Sequence, residues 1–256
     1  MAVKIILNGC CGRMGQAITR LSEGRADVEI IAGIDICDNG KCPYKVYTSA
    51  AAAFENTEKA DVLLDFSNPG ALDALAGQAA SSGLPLVVAT TGLSDKQKVL
   101  LRTISSQIPV FFSANMSLGI NLLISLLRKA TPVLKDSFDI EIIEKHHNRK
   151  IDAPSGTALA IADAVKDSSG CELEYIYERQ SKRAARSCSE IGIHSIRGGT
   201  IAGEHTVIFA GNDETLEITH RASSRDIFAE GALKAAVFMA GKAPGFYGME
   251  DLIKTG

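Results

Sequence analysis

The chain has no excess of basic residues. Its 27 Lys and Arg against 30 Asp and Glu leave a net charge of −3 over 256 residues. That balance excludes the broad basic face of a general nucleic-acid binder. No apolar run reaches the length of a membrane span. The N-terminus enters an apolar strand at once, without the charged and apolar regions of a signal peptide. The six cysteines, at positions 10, 11, 37, 42, 171 and 188, form no C-x-x-C pair and no zinc-ligand spacing. They are expected to be reduced thiols in a cytosolic protein, with no metal site. No internal repeat or low-complexity segment appears. What remains is a chain long enough to bury a proper core in one or two domains.

What the sequence has, first, is an alternation of strand and helix signals. Residues 3–7 read as a short apolar strand, residues 14–22 as a helix and residues 28–34 as a second strand ending in Asp35. Between the first strand and the helix stands Gly9-Cys-Cys-Gly-Arg-Met-Gly15. A strand, a Gly-rich turn, a helix, a strand and an acid about twenty residues on is the order of a dinucleotide-binding unit. Glycine suits a tight turn, close backbone approach to a pyrophosphate and close packing of helix on strand. The helix N-terminus offers N–H groups and a favourable dipole to the phosphate. Asp35 is placed to accept hydrogen bonds from the adenosine ribose. The spacing G-x-x-G-x-x-G is a weak signal alone, and the flanking strand and acid strengthen it.

The alternation continues. Residues 37–47 read as a loop and 49–55 as a short helix. Residues 61–67 and 108–112 read as strands and 85–92 as strand plus loop, separated by helices at 71–81 and 94–106. This predicts an α/β Rossmann-type parallel sheet over residues 1–113. A long apolar helix over 118–134 opens a second part that becomes strand-rich, with a hairpin over 206–219 around Gly211-Asn-Asp213. We expect an α+β mixed-sheet domain over 114–225, and a C-terminal helical segment, 226–256, that returns to the first domain.

The chemistry concentrates between 141 and 158. A strand leads into Glu144-Lys-His-His-Asn-Arg-Lys-Ile-Asp-Ala-Pro-Ser-Gly-Thr-Ala158, and a helix begins near Thr157. Reactive residues are commonly held on such strand-to-helix connections. Adjacent histidines on an extended segment point opposite ways, which suits two jobs rather than a shared metal. Histidine as a residue type titrates near neutrality, so His146 is a candidate general acid. Lys150, His147 and the helix start offer cations and N–H donors to an anion. Lys145, Asn148 and Arg149 read as solvated surface. His194, His205 and His220 read as structural, and the role of Arg225 stays open.

These blocks resemble one family closely, the dihydrodipicolinate reductases of diaminopimelate and lysine biosynthesis. The 144–158 block fits the family's E-x-H-H-x-x-K-x-D-A-P-S-G-T-A signature at every fixed position. Asp65-Phe-Ser67, Thr90-Thr-Gly92, Ala114-Asn115, Gly203-Glu-His205 and Ile218-Thr-His-Arg-Ala-Ser-Ser-Arg225 support it across nearly the whole chain. The resemblance implies reduction of a small dicarboxylate ring, 4-hydroxy-tetrahydrodipicolinate or its dehydrated form, by NADH or NADPH. It implies a homotetramer joined through the second sheet. It implies His146 and Lys150 as catalytic residues, and His147, Ser155, Gly156 and Thr157 as substrate contacts. Gly9, Cys10, Cys11, Gly12, Arg13, Met14, Asp35, Ala89, Thr90, Thr91, Ser113, Ala114, Asn115 and Met116 are implied as cofactor contacts. Two departures stand out. Ala89 replaces a Gly common before the Thr-Thr-Gly. Ile36 replaces an Arg common after the ribose-binding acid. Without that Arg to pair with a 2′-phosphate, Asp35 favours NADH. Two alternatives remain at this point: another Rossmann-type dehydrogenase of a small dicarboxylic imine or aldehyde, and a nucleotide sensor without turnover.

Overall fold

The computed structural model describes residues 1–57 and 59–254. In chain order the elements begin β1 (Val3–Asn8), α1 (Arg13–Ser22), β2 (Val28–Ile34), β3 (Val46–Tyr47), α2 (Ala50–Asn56), β4 (Val62–Asp65) and α3 (Leu72–Ser82). Next come β5 (Leu86–Val88), α4 (Asp95–Ile104), β6 (Pro109–Phe112), α5 (Leu118–Leu134), β7 (Asp139–His146) and α6 (Gly156–Ser169). The rest are β8 (Glu174–Ile176), β9 (Glu190–Arg197), β10 (Gly203–Ala210), β11 (Thr215–Ala222), α7 (Asp226–Met239), β12 (Gly245–Tyr247) and α8 (Met249–Lys254). The chain divides into two compact units, Met1–Leu118 with Asp226–Gly256, and Gly119–Arg225.

The first unit is a seven-stranded parallel sheet in the order β12-β6-β5-β4-β1-β2-β3. Short apolar runs such as Val62–Asp65 are buried throughout, as strands covered by helices on both faces must be. One face carries Ile5, Leu7, Val62 and Leu64 against α1 and α7. The other carries Ile6, Leu63, Leu86 and Val110 among residues of α2, α3 and α4. The strand order reverses at β1, so the turn after β1 stands at the crevice where such sheets bind ligands. Two short strands escaped the sequence reading. β3 lies within the stretch read as a loop, and β12 within the stretch read as a helical return. Two or three residues are too few for a period to register; pairing with β2 and β6 creates these strands. The first unit also runs past the expected boundary at 113, because Met116 is buried in its core.

The second unit is a five-stranded mixed sheet, β11-β10-β7-β9-β8. β7 pairs parallel with β9 and antiparallel with β10. Ile140, Ile142, Ile191, Ile193, Val207 and Phe209 from its strands pack with Leu123, Leu127, Ile161 and Val165 from α5 and α6. The hairpin β10–β11 is longer than its sequence signal, running from the pair Gly203 and Ala222 to Ala210 and Thr215.

The Gly-rich turn has the tightness its glycines imply. Gly9 has φ +81°, and a Cβ there would lie 2.5 Å from the Phe66 carbonyl oxygen. A Cβ on Gly15 would lie 2.1 Å from the Gly9 carbonyl oxygen, so α1 packs on the turn only because Gly15 has no side chain. Gly12 is the N-cap of α1 and has no side-chain cap, leaving the helix start uncovered by its own residues. Gly15→Ala therefore overpacks the turn at a cost of about 1–3 kcal/mol. A thermal melt of the variant should show a lowered Tm, and an unchanged Tm would refute this packing.

Candidate active site

β7 carries the buried residues Ile140, Ile142 and Glu144 on its inner face. Glu144 is completely buried, and four groups converge on its carboxylate. Arg197, at the end of β9, binds it with both nitrogens, Nη2 to Oε1 at 2.6 Å and Nη1 to Oε2 at 2.8 Å. His146 Nδ1 lies 2.5 Å from Oε2. The Ser155 backbone N–H donates to Oε1 at 3.1 Å. Burial alone would raise this carboxyl. The hydrogen bonds from Arg197, His146 and Ser195 outweigh burial and hold it at about 2. Glu144 is therefore ionised and accepts only, so the Nδ1 hydrogen bond puts a proton on Nδ1 of His146. Nε2 is then left for chemistry, and it lies beside Gly203, whose added Cβ would stand 3.1 Å away.

His205 packs edge-on against His146, with ring centroids 5.3 Å apart. Burial, and then the neighbouring His146, lower its pKa to about 4, so it is neutral at pH 7. It braces the imidazole of His146 without adding charge. His147 points away from Glu144, and its Nδ1 is buried without a partner. Burial first, then Arg149 and Arg225, lower its pKa. Lys150 Nζ lies 2.9 Å from the exposed Asp152 carboxylate. α6 begins at Gly156, which is exposed, followed by half-buried Thr157.

Several expectations need correction. The polar groups of Ser155, expected at a ligand, are engaged within the protein. The residue is the N-cap of α6, its hydroxyl accepts from the Ala158 N–H and pairs with His205 Nε2 at 3.1 Å, and its N–H serves Glu144. Lys145 is no solvated lysine, since its Nζ lies 2.6 Å from Glu204 Oε1. Asn148 and Arg149 are exposed, as read. The important omission is Arg197, which the sequence shows only as the start of a turn. A buried Glu two residues before a histidine demands a cation, and that demand was the available signal.

In the first unit, Asp35 is bound to the Gly-rich turn. Its Oδ2 accepts from the Cys11 N–H at 2.8 Å and its Oδ1 from the Ile36 N–H at 2.8 Å. A cleft of about 280 Å³ is lined in part by Gly9, Asp35, Ile36, Ser67, Asn68 and Ala71. Ile36 is 87% exposed beside it. Cys11 and Met14 are half-buried, and Gly12 and Arg13 exposed, around the turn. Cys10, Ala89 and Met116 are buried, so their side chains belong to the core and leave only backbone to a ligand. The Thr90 hydroxyl donates to buried Asp65 at 2.8 Å and accepts from the Ser67 N–H, so it too is spent within the protein. Thr91 and Ala114 are exposed, and Ser113 and Asn115 half-buried, at the ends of β5 and β6. Among the described residues, no helix is long and apolar enough to cross a membrane.

A parallel sheet with a glycine turn and an acid at its switch point is the architecture of a dinucleotide-binding unit. The second unit adds a histidine hydrogen-bonded to a buried carboxylate and an exposed helix start at Gly156. Residues 3–116 match the family described as Dihydrodipicolinate reductase, N-terminus, and residues 119–253 match Dihydrodipicolinate reductase, C-terminus. The chain is 49% identical over 256 residues to 4-hydroxy-tetrahydrodipicolinate reductase of Caldanaerobacter subterraneus subsp. tengcongensis, covering 100% of each chain. A solved dihydrodipicolinate reductase from Paenisporosarcina sp. TG-14, with dipicolinate bound, superposes with TM-score 0.81 at 23% identity, over 98% of this chain and 99% of that one. A myo-inositol 2-dehydrogenase from Lactobacillus plantarum shares the fold at TM-score 0.59 and 10% identity, over 99% of this chain and 94% of that one. The chain belongs to the dihydrodipicolinate reductase family and is a pyridine-nucleotide oxidoreductase.

The buried neutrality of His205 has a consequence for stability. In the unfolded chain a histidine takes up its proton near pH 6.5, while folded His205 resists until about pH 4. The unfolded state therefore binds more protons as pH falls through that window, and stability present above pH 6.5 is lost toward pH 4. Between pH 7 and pH 5 the loss is on the order of 2 kcal/mol. Urea unfolding at the two pH values should show a smaller difference for His205→Gln than for the wild type. Equal differences would place the acid sensitivity elsewhere.

Proposed function

We propose that the chain reduces 4-hydroxy-tetrahydrodipicolinate, or its dehydrated form, to tetrahydrodipicolinate, with His146 as general acid. The observation that carries this reading is the Arg197–Glu144–His146 chain, which fixes one proton on Nδ1 and frees Nε2. A reduced nicotinamide dinucleotide supplies the hydride. The hydroxylated form first loses water to give the dehydrated ring, and hydride addition to that ring leaves an enamine-like carbon that must take a proton. Protonated His146 Nε2, or Lys150, delivers it. Lys150, His147, Gly156 and Thr157 hold the two carboxylates of the ring, by charge and by the helix start.

In the first unit, residues 9–14 receive the pyrophosphate and Asp35 the ribose hydroxyls. The exposed side chain of Ile36 offers apolar contact but no cation, which supports a preference for NADH. Residues 89–91 and 113–116 contribute backbone toward the nicotinamide end. We further propose a homotetramer formed through the second unit's sheet, supported by the exposed Ile196 and Leu216 on its strands. A cytosolic location fits six free cysteines, of which Cys37, Cys171 and Cys188 are exposed.

His146→Gln should lower kcat by about a hundredfold to ten-thousandfold while NADH binds normally. Near-wild-type turnover, followed as loss of NADH absorbance with freshly generated substrate, would remove His146 from the mechanism. In the same assay NADH should match or exceed NADPH in kcat/KM. A roughly hundredfold preference for NADPH would contradict the role given to Ile36.

A further inference from the structure

One cluster of thiols in the first unit takes no part, through its sulfurs, in the chemistry above. The sulfur atoms of Cys10, Cys11 and Cys42 all lie within 4.8 Å of one another. Those of Cys10 and Cys11 are 3.9 Å apart. Two come from the Gly-rich turn and the third from the connection between β2 and β3, so sequence spacing gives no hint of the set. Cys10 is buried, and Cys11 and Cys42 are half-buried and reachable from solvent.

The geometry is near that of a metal site. Three sulfurs each about 2.3 Å from a central ion stand about 3.8–4.0 Å apart in tetrahedral or trigonal arrangement. The Cys10–Cys11 separation already meets this, and the longest separation needs closure by about 1 Å. Rotation of the half-buried side chains supplies that. The surroundings help to orient the set. Gln16 Nε2 donates to the Cys10 carbonyl at 2.9 Å and approaches Cys42 Sγ at 3.4 Å.

We propose that Cys10, Cys11 and Cys42 form a binding site for a soft, thiophilic d10 metal ion of the zinc or monovalent copper kind. Thiolates select such ions over hard cations. Entry of a divalent ion displaces three thiol protons and leaves a tris-thiolate complex of charge −1, with a coordination position open to an outside ligand and no change of oxidation state. A bound ion ties the Gly-rich turn to the loop before β3, next to Asp35, whose Oδ2 takes the Cys11 N–H.

The test is an anaerobic titration of the reduced full-length chain with Cd2+. The sulfur-to-metal charge-transfer absorption should saturate at one ion per chain, with the intensity of three thiolates. Added Zn2+ should abolish it by competition. Cys42→Ser, or Cys42→Ala should the serine variant fail to fold by circular dichroism, should weaken binding by roughly a hundredfold. Cys37→Ser should leave it unchanged. On the wild-type chain, Cd2+ should protect Cys11 and Cys42 from alkylation, read by mass spectrometry, while Cys37, Cys171 and Cys188 still react. No charge-transfer band, binding that survives both Cys42 variants, or protection spread over all cysteines would overturn the proposal and leave the three thiols as core packing.

Discussion

A fully buried carboxylate is the constraint on which the second unit's site depends. An ionised Glu144 without partners is intolerable in a protein interior, and removing one partner of such a pair costs about 3–5 kcal/mol. The fold answers with donors from separate elements: Arg197 at the end of β9, His146 two residues along β7, and the Ser155 N–H at the start of α6. Each donor is thereby fixed relative to the others. The imidazole gains a defined tautomer, and α6 gains a defined starting point. The geometry proposed for catalysis is thereby a by-product of satisfying a charge.

The first unit solves a similar problem differently. Asp65 is also buried, and it accepts from Asn8, Ser67 and Thr90, at the ends of β1, β4 and β5. All three donors are neutral. Burial raises this carboxyl despite them, whereas the cationic Arg197 leaves Glu144 low. Asp65 therefore fixes the shape of the strand ends where the nucleotide cleft opens. Glu144 fixes charge and proton position as well.

Much of this was legible before any coordinates, and for identifiable reasons. The parallel sheet announces itself because buried strands are continuous apolar runs separated by helical periods. The nucleotide turn is legible because Gly9 and Gly15 are dictated by backbone collisions, which are local. The two short strands are not legible, because only pairing across the sheet makes Val46–Tyr47 and Gly245–Tyr247 into strands. Arg197 was missed, and Ser155 was read only as a ligand contact, for a related reason. A serine before a helix is both an N-cap and an anion contact in sequence terms. Only the position of Glu144 and His205 shows that Ser155 is already engaged on every side.

The fold by itself is a poor guide to the chemistry. An inositol dehydrogenase shares it at 10% identity, so neither the sheet order nor the glycine turn chooses a substrate. The choice lies in the connection from β7 to α6. A dianionic ring needs positive charge without a competing buried cation. The Glu144–Arg197 pair is internally neutral, and His205 stays uncharged at pH 7. Positive charge on the connection after β7 comes from exposed Arg149, from Lys150, whose Nζ also meets Asp152, and from the start of α6. On the proposed reading the buried charges orient and the outer charges attract: proton position belongs to the Glu144 chain, and capture of the dianion to the loop.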